Sequence, residues 1–221
     1  MFKKLVLYFS IIVILFTTVG CVKENEQEKN ETMSDKTMTS EVTQDNLSTF
    51  PVTDESTFNT EPVEGGVSIT GCSYEGDVIV IPEKIGGNTV VGISDYAFAM
   101  SKMQGIVLPD TVKTIGRGVF EMCYNLKYVD LGSGLKSIDS MAFNNCTILQ
   151  RVEFPDGMTT FYGIAFNNCD ALTEIIIPNS VIKFDMGIVE TTSCPNAVIV
   201  TPAGSKVEAD CIAYNVPYRS S

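Results

Sequence analysis

Residues 105–173 decide the fold, because they repeat: GIVLPDTVKTIGRGVFEMCYNLK (105–127), YVDLGSGLKSIDSMAFNNCTILQ (128–150) and RVEFPDGMTTFYGIAFNNCDALT (151–173). The starts are evenly spaced, since 128 − 105 = 151 − 128 = 23. Under that shift Phe120 falls on Phe143 and Phe166, Cys123 on Cys146 and Cys169, and Leu126 on Leu149 and Leu172. A fixed period in the twenties, with apolar residues locked to fixed phases, is the mark of a solenoid. One unit of this length cannot close a core, so each coil buries its apolar side chains against the next. Phe120, Phe143 and Phe166 are therefore expected to line up in one interior column.

Each coil opens on a run predicted to be a short parallel strand: Gly105–Leu108, Tyr128–Leu131, Arg151–Phe154 and Glu174–Ile177. Alternation points Ile106, Leu108 and their equivalents inward, and the residues between them outward. Pro109, Gly132, Pro155 and Pro178 end the strands. A second extended segment fills the core with Val112, Leu135, Met158 and Val181, and with Ile115, Ile138, Phe161 and Phe184. Ala142-Phe143 and its equivalents start a tight helical or 3₁₀ turn, closed by the Cys and Leu. Right-handed connection is the default for parallel crossovers. Upstream, Pro82 to Phe98 spans five residues more than Pro109 to Phe120, which reads as a first coil with an insertion around Gly86–Asn88. The domain is taken as residues 65–221, with caps at both ends.

The succession of strand, Ile-Pro, Val-x-x-Ile, Ala-Phe, x-x-Cys and x-x-Leu resembles the BspA-type leucine-rich repeat of bacterial surface proteins. IVIPEKIGGNTVVGISDYAF, from Ile79, resembles that family's first coil. Ser205–Asp210 and Asn215-Val216-Pro217-Tyr218 resemble its closing helix and tail. The resemblance implies a leucine-rich-repeat solenoid of the α/β horseshoe class, and a role in attachment at the bacterial exterior. It supplies no catalytic residue. After Glu174 the pattern departs: Val189 stands where Phe is expected, and Cys194 follows Cys169 by 25 residues (194 − 169).

The ends of the chain differ from this repeat. Met1–Gly20 reads as an export signal, with Lys3 and Lys4 ahead of the apolar run Leu5–Phe16, a run short for a spanning helix. An uncleaved anchor helix is the alternative. Thr18-Val19-Gly20-Cys21 is similar to a lipoprotein lipobox, although Thr18 stands where Leu is preferred. That resemblance implies removal of the leader and lipid on Cys21, which attaches the chain to the outer face of a bacterial membrane; stable attachment needs more than one acyl chain. Residues 21–64 are predicted to be a disordered tether. Val22–Glu64 carries 11 acidic and 3 basic side chains and no hydrophobic period. Phe50, Phe58, Pro51 and Pro62 are expected to touch the domain's edge at most.

Composition narrows the chemistry. The formal charge is −12, with no basic stripe, which argues against nucleic acid as a partner. There is no His, so the commonest general base and zinc ligand is missing. Cys123, Cys146 and Cys169 form a ladder at coil spacing. Metal would want four convergent thiolates, and a disulfide would leave one of three unpaired; a buried apolar filler with inert thiols is the simplest reading. Cys72, Cys194 and Cys211 have no spacing that forces a pair. Asp130, Glu153 and Glu174 could form an acidic dyad of the glycosidase kind, but Arg151 neutralises the group and a solvated face is the plainer reading.

The outward strand face is the expected working surface, since solenoids bind along their extended faces. Its named residues are Tyr128, Asp130, Arg151, Glu153, Glu174 and Ile176, with Tyr128 and Arg151 of the types most common at interface hot spots. The expectation is a non-catalytic surface lipoprotein without a cofactor, presenting the module to a protein ligand outside the cell. A structural envelope spacer or a glycan-binding module is the alternative.

Overall fold

The computed structural model describes residues 41–183 and 194–221. The leader Met1–Gly20, Cys21, and the Phe184 and Val189 positions of the repeat lie outside them. In chain order the strands are β1 (Phe58–Val63), β2 (Gly66–Cys72), β3 (Val78–Val80), β4 (Lys84–Ile85), β5 (Asn88–Ile93), β6 (Gly105–Val107), β7 (Thr114–Ile115), β8 (Tyr128–Asp130) and β9 (Ser137–Ile138). They continue as β10 (Arg151–Glu153), β11 (Thr160–Phe161), β12 (Glu174–Ile176) and β13 (Val198–Thr201). The helix α1 (Lys206–Tyr214) and β14 (Tyr218–Ser220) close the chain.

The period becomes a solenoid through parallel ladders. On the outer strand face β3, β6 and β8 pair in register, Ile79 with Ile106 and Ile106 with Val129. A second group, β10-β12-β13-β14, continues the same phase, Val152 with Ile175 and Ile175 with Ile199. The other extended segment builds β2-β5-β7-β9-β11, carried on by a parallel bridge from Thr160 to Lys183. The five-residue insertion is a hairpin: β4 pairs antiparallel with β5 around Gly86-Gly87, both at positive φ (56° and 79°). That pair of left-handed residues is what a two-residue turn between twisted strands requires.

The inward phases meet as expected. Phe98 extends the column by one ring: Phe98–Phe120 centroids are 6.0 Å apart, and Phe120–Phe143 and Phe143–Phe166 each 5.1 Å. Phe154 closes it edge-on, 6.3 Å from Phe166, and Phe161 packs edge-on against Phe154. Offset stacks at these distances add to area burial. Beside the rings runs the cysteine ladder, wholly buried. Each thiol donates to the carbonyl of the Phe one coil earlier: Cys123 to Phe98 (3.1 Å), Cys146 to Phe120 (3.1 Å) and Cys169 to Phe143 (3.0 Å). Cys123 and Cys146 are free thiols, and burial pushes Cys123 up to about 12 and Cys146 well above its ordinary 9.0. Cys169 rises as well, chiefly through a hydrogen bond with Cys194 and then through burial.

The turn after Ala-Phe is not helical. Met100, Met122, Asn145 and Asn168 have left-handed φ between 53° and 61°, which stops a helix from propagating. The turns bond between coils instead, Phe120 N donating to Ala142 O (2.8 Å) and Phe143 N to Ala165 O (2.9 Å). They form a third inter-coil ladder.

The expected tether is corrected from residue 41 onward. Residues 41–63 are part of the folded unit and cap its first coil. The reason is the exposed edge that a parallel stack leaves at its end, a row of unpaired N–H and C=O groups. Strand β1 covers the edge of β2 antiparallel, from Phe58↔Cys72 to Val63↔Gly66. Thr53 covers the edge of β3, its N–H donating to Val80 O (2.9 Å) and its Oγ1 accepting from Val80 N (3.0 Å). Phe58 is buried in the main core. At the other end, α1 begins on Ser205, whose Oγ accepts from Glu208 N (3.0 Å), and ends at left-handed Asn215.

Candidate protein-binding face

The outward residues of β3, β6, β8, β10 and β12 form one face, but its two halves differ. Over the first half lies a strap, residues 41–50, containing the 3₁₀ helix Gln44–Thr49. Val42 and Leu47 bury themselves against Val78 and Val80, with Phe50, Val107 and Tyr128 packed around them. Leu47 sits over Gly105: a Cβ there would meet Leu47 Cδ2 at only 2.4 Å, too close to fit without a shift. Tyr128 is thus half-buried beneath the chain's own strap, with Lys127 Nζ 5.0 Å from its ring centroid. The expectation of Tyr128 as a freely presented anchor is corrected accordingly.

The strap ends at a break in the ladder. Among the described residues no main-chain hydrogen bond joins β8 to β10, although both neighbours continue their own groups. Gln44 Nε2 donates to the Val129 carbonyl there (3.1 Å), an acceptor that an unbroken ladder would give to the next strand. Beside the break is a groove of ≈ 550 Å³, floored by Val129, Leu131 and Ile176 and walled by Pro155, Pro178 and Pro202. Asp110, Asp130, Glu153 and Asp156 rim it, with no basic side chain among its lining. Ser133 N–H donates to Asp110 (2.7 Å) and holds its carboxyl below the usual range. Asp130 accepts from Gly132 N (3.1 Å), which fixes it in the strand-ending turn.

Among the described residues none covers the second half of the face. Arg151 Nη2 lies 2.8 Å from Glu153 Oε2, and its Nε 3.6 Å from Glu174 Oε2. Arg219 reaches Glu174 Oε1 from β14 (2.6 Å). Arg151↔Glu174 is a directly opposed pair in the parallel register. These side chains are about half exposed, so each pair contributes at most ~1 kcal/mol. Their consequence is positional: the charges are held over β10–β14 with Ile176 half-buried between them. Glu153 and Glu174 are each engaged by a guanidinium, and Asp130 by a main-chain N–H, so the three do not form an isolated acid pair. Among the described residues no cluster of three His, Cys, Asp or Glu could hold a metal, and no helix is long and apolar enough to cross a membrane.

Sequence reasoning missed Gly105, Gln44, Leu47 and Arg219. Gly105 is the one position in its phase without a side chain, where neighbouring coils carry Val78, Tyr128, Arg151 and Glu174. That irregularity was the available signal for the strap. A further row, on the turn edge, leaves Tyr96, Met141 and Ile164 exposed at one phase.

Comparison with known proteins agrees with this architecture. The crystal structure of a leucine-rich-repeat protein of T. pallidum is 27% identical, with a TM-score of 0.63 over 68% of this chain and 71% of that one. A leucine-rich cell-surface protein of Faecalibacterium prausnitzii is 25% identical, with a TM-score of 0.59 over 69% of this chain and 40% of that one. A leucine-rich-repeat protein of Bacteroides ovatus is 27% identical, with a TM-score of 0.56 over 66% and 39%. This chain thus spans about two-fifths of the last two structures. No curated protein sequence matches it significantly. The model of the BspA-type leucine-rich-repeat region matches in six copies over residues 89–215, more than half of the sequence. With its parallel coils, phenylalanine column and matching repeats, the chain belongs to the BspA-type leucine-rich-repeat family.

Proposed function

We propose that the chain is a surface-displayed, non-catalytic binding module whose open half-face, β10–β14 with the adjoining groove, engages a protein ligand outside the cell. The observation that carries this reading is the charge lattice Arg151–Glu153–Glu174–Arg219, arrayed on a parallel sheet next to a groove with a proline wall and an acidic rim. Such a surface offers a planar guanidinium, a half-buried Ile176 and uncompensated carboxylates. It fits a partner surface that is basic overall with an apolar centre. Family membership and the likeness to a cell-surface protein support an exterior location.

Attachment through lipid on Cys21 goes with this proposal, and so does adhesion as the biological outcome. Mass spectrometry of the mature N-terminal peptide tests the first: a diacylated or triacylated cysteine is expected, and an intact Met1 leader would reject it. Capture of surface proteins by the purified chain tests the second. Arg151→Ala and Glu174→Ala should each weaken a captured complex at least tenfold, with thermal stability nearly unchanged. Binding unaffected by both would move the site off this face.

A further inference from the structure

The strap differs from the rest of the N-terminal cap in how it is held. Residues 53–63 are joined to the body by main-chain bonds, at Thr53 and along β1. Residues 41–50 satisfy their own polar groups: Thr43 N donates to Asn46 Oδ1 (2.9 Å), Asn46 Nδ2 to Glu41 O (2.9 Å) and Thr49 Oγ1 to Asn46 O (2.7 Å). Only side chains reach the coils: Val42, Leu47 and Phe50 by packing, and Gln44 by one hydrogen bond. This is how a bound peptide is seated, self-folded and anchored by a few side chains, rather than how a structural strand is paired. The receiving surface is shaped to match. Gly105 leaves a notch for one aliphatic side chain, Val78, Val80 and Val107 line it, and the Val129 carbonyl at the ladder break accepts one carboxamide.

We propose that the β3-β6-β8 half of the face is a peptide-binding site which the chain's own residues 41–50 occupy, and that its external ligand is a peptide of the same chemistry. That chemistry is a short turn-forming segment with a Leu-like side chain for the Gly105 notch and a Gln or Asn three residues before it for the Val129 carbonyl. The strap then acts as a competitor in cis, and the site opens when the strap is displaced. The inference is separable from the open half-face: Gln44 borders the groove beside that half, but Leu47, Val42 and Gly105, on which the test below rests, do not line it.

The test uses the full-length chain and a labelled synthetic peptide of residues 41–50. Leu47→Asp releases the strap without altering a coil residue, and Val42→Asp serves as an independent release should the first variant misfold. A tethered segment experiences an effective concentration in the millimolar range, so the peptide is titrated to about 1 mM. Saturable binding is expected to both released variants, at least tenfold weaker binding to the wild type, and loss of binding when Gly105→Leu is added. A peptide with Leu47→Asp should fail to bind. Absence of saturable binding to the released variants would overturn the proposal. So would equal binding to the wild type, the released variants and the Gly105→Leu form.

Discussion

Alkali should destabilise the interior at Cys123 before most of the surface has lost its charge balance. The thiol is wholly excluded from solvent, and burial is the main reason its ionisation moves from 9.0 to about 12. Donation to Phe98 O, 3.1 Å away, favours the protonated form as well. In the unfolded chain the same thiol ionises at its ordinary value. A folded pKa above the unfolded one means that the contribution is complete below pH 9 and is lost as pH rises from 9 towards 12. Each unit is worth about 1.4 kcal/mol, so at pH 11 the loss from Cys123 alone is on the order of 3 kcal/mol, a large part of the 5–15 kcal/mol typical of a domain. The assay is urea unfolding under reducing conditions at half-unit steps from pH 7 to 11, for wild type and Cys123→Ala. Tyr, Lys and Cys169 titrate in both proteins and cancel in the comparison; Cys146, raised in part by the neighbouring Cys123 thiolate, is relieved of that repulsion in the variant, which widens the difference in the same direction. The variant is expected to start lower, because it loses packing and a hydrogen bond, and then to fall less steeply, so that the two curves converge. Parallel curves between pH 9 and 11 would show that the Cys123 thiolate is accommodated in the fold, and would refute the reading of the ladder as sealed, inert filler.

Other perturbations follow from the same packing. Phe143→Ala opens a cavity between two rings and should cost about 3–5 kcal/mol, clearly more than Phe98→Ala at the column's end, where only one ring neighbour stands at 6.0 Å; calorimetric Tm values would rank them. Met122→Gly should raise stability by up to about 1 kcal/mol, because a left-handed φ of 59° strains methionine by more than glycine loses in chain entropy; a lower urea midpoint would contradict this. Ser205→Ala removes the α1 cap and the partner of the buried Thr201 hydroxyl (3.0 Å), a loss of about 1–2 kcal/mol visible in far-UV circular dichroism melts.

What the sequence made legible and what it hid have one physical cause. Residues that repeat in phase do so because each must meet its copy in the next coil, so Phe120, Phe143 and Phe166, and Cys123 and Cys146, could be placed by counting. The cap contacts no copy of itself, and its anchors Val42, Leu47, Phe50 and Phe58 follow no period. Strand β1 buries only Phe58 of its six residues, since backbone pairing with β2 holds it and asks no alternation of its side chains. A polar, acidic strand of that kind has the composition of a disordered tether, and composition cannot tell the two apart. The face suffers from the same blindness. Strand alternation correctly turned Tyr128, Arg151 and Glu174 outward, yet outward is not the same as open: the strap covers Tyr128 and leaves Arg151 and Glu174 exposed. The trace of that division in the repeat was an absence, a glycine at 105 where every neighbouring coil invests a side chain. In a solenoid, where each phase is sampled several times, a missing side chain is as informative as a shared one, because it marks where something other than the next coil must fit.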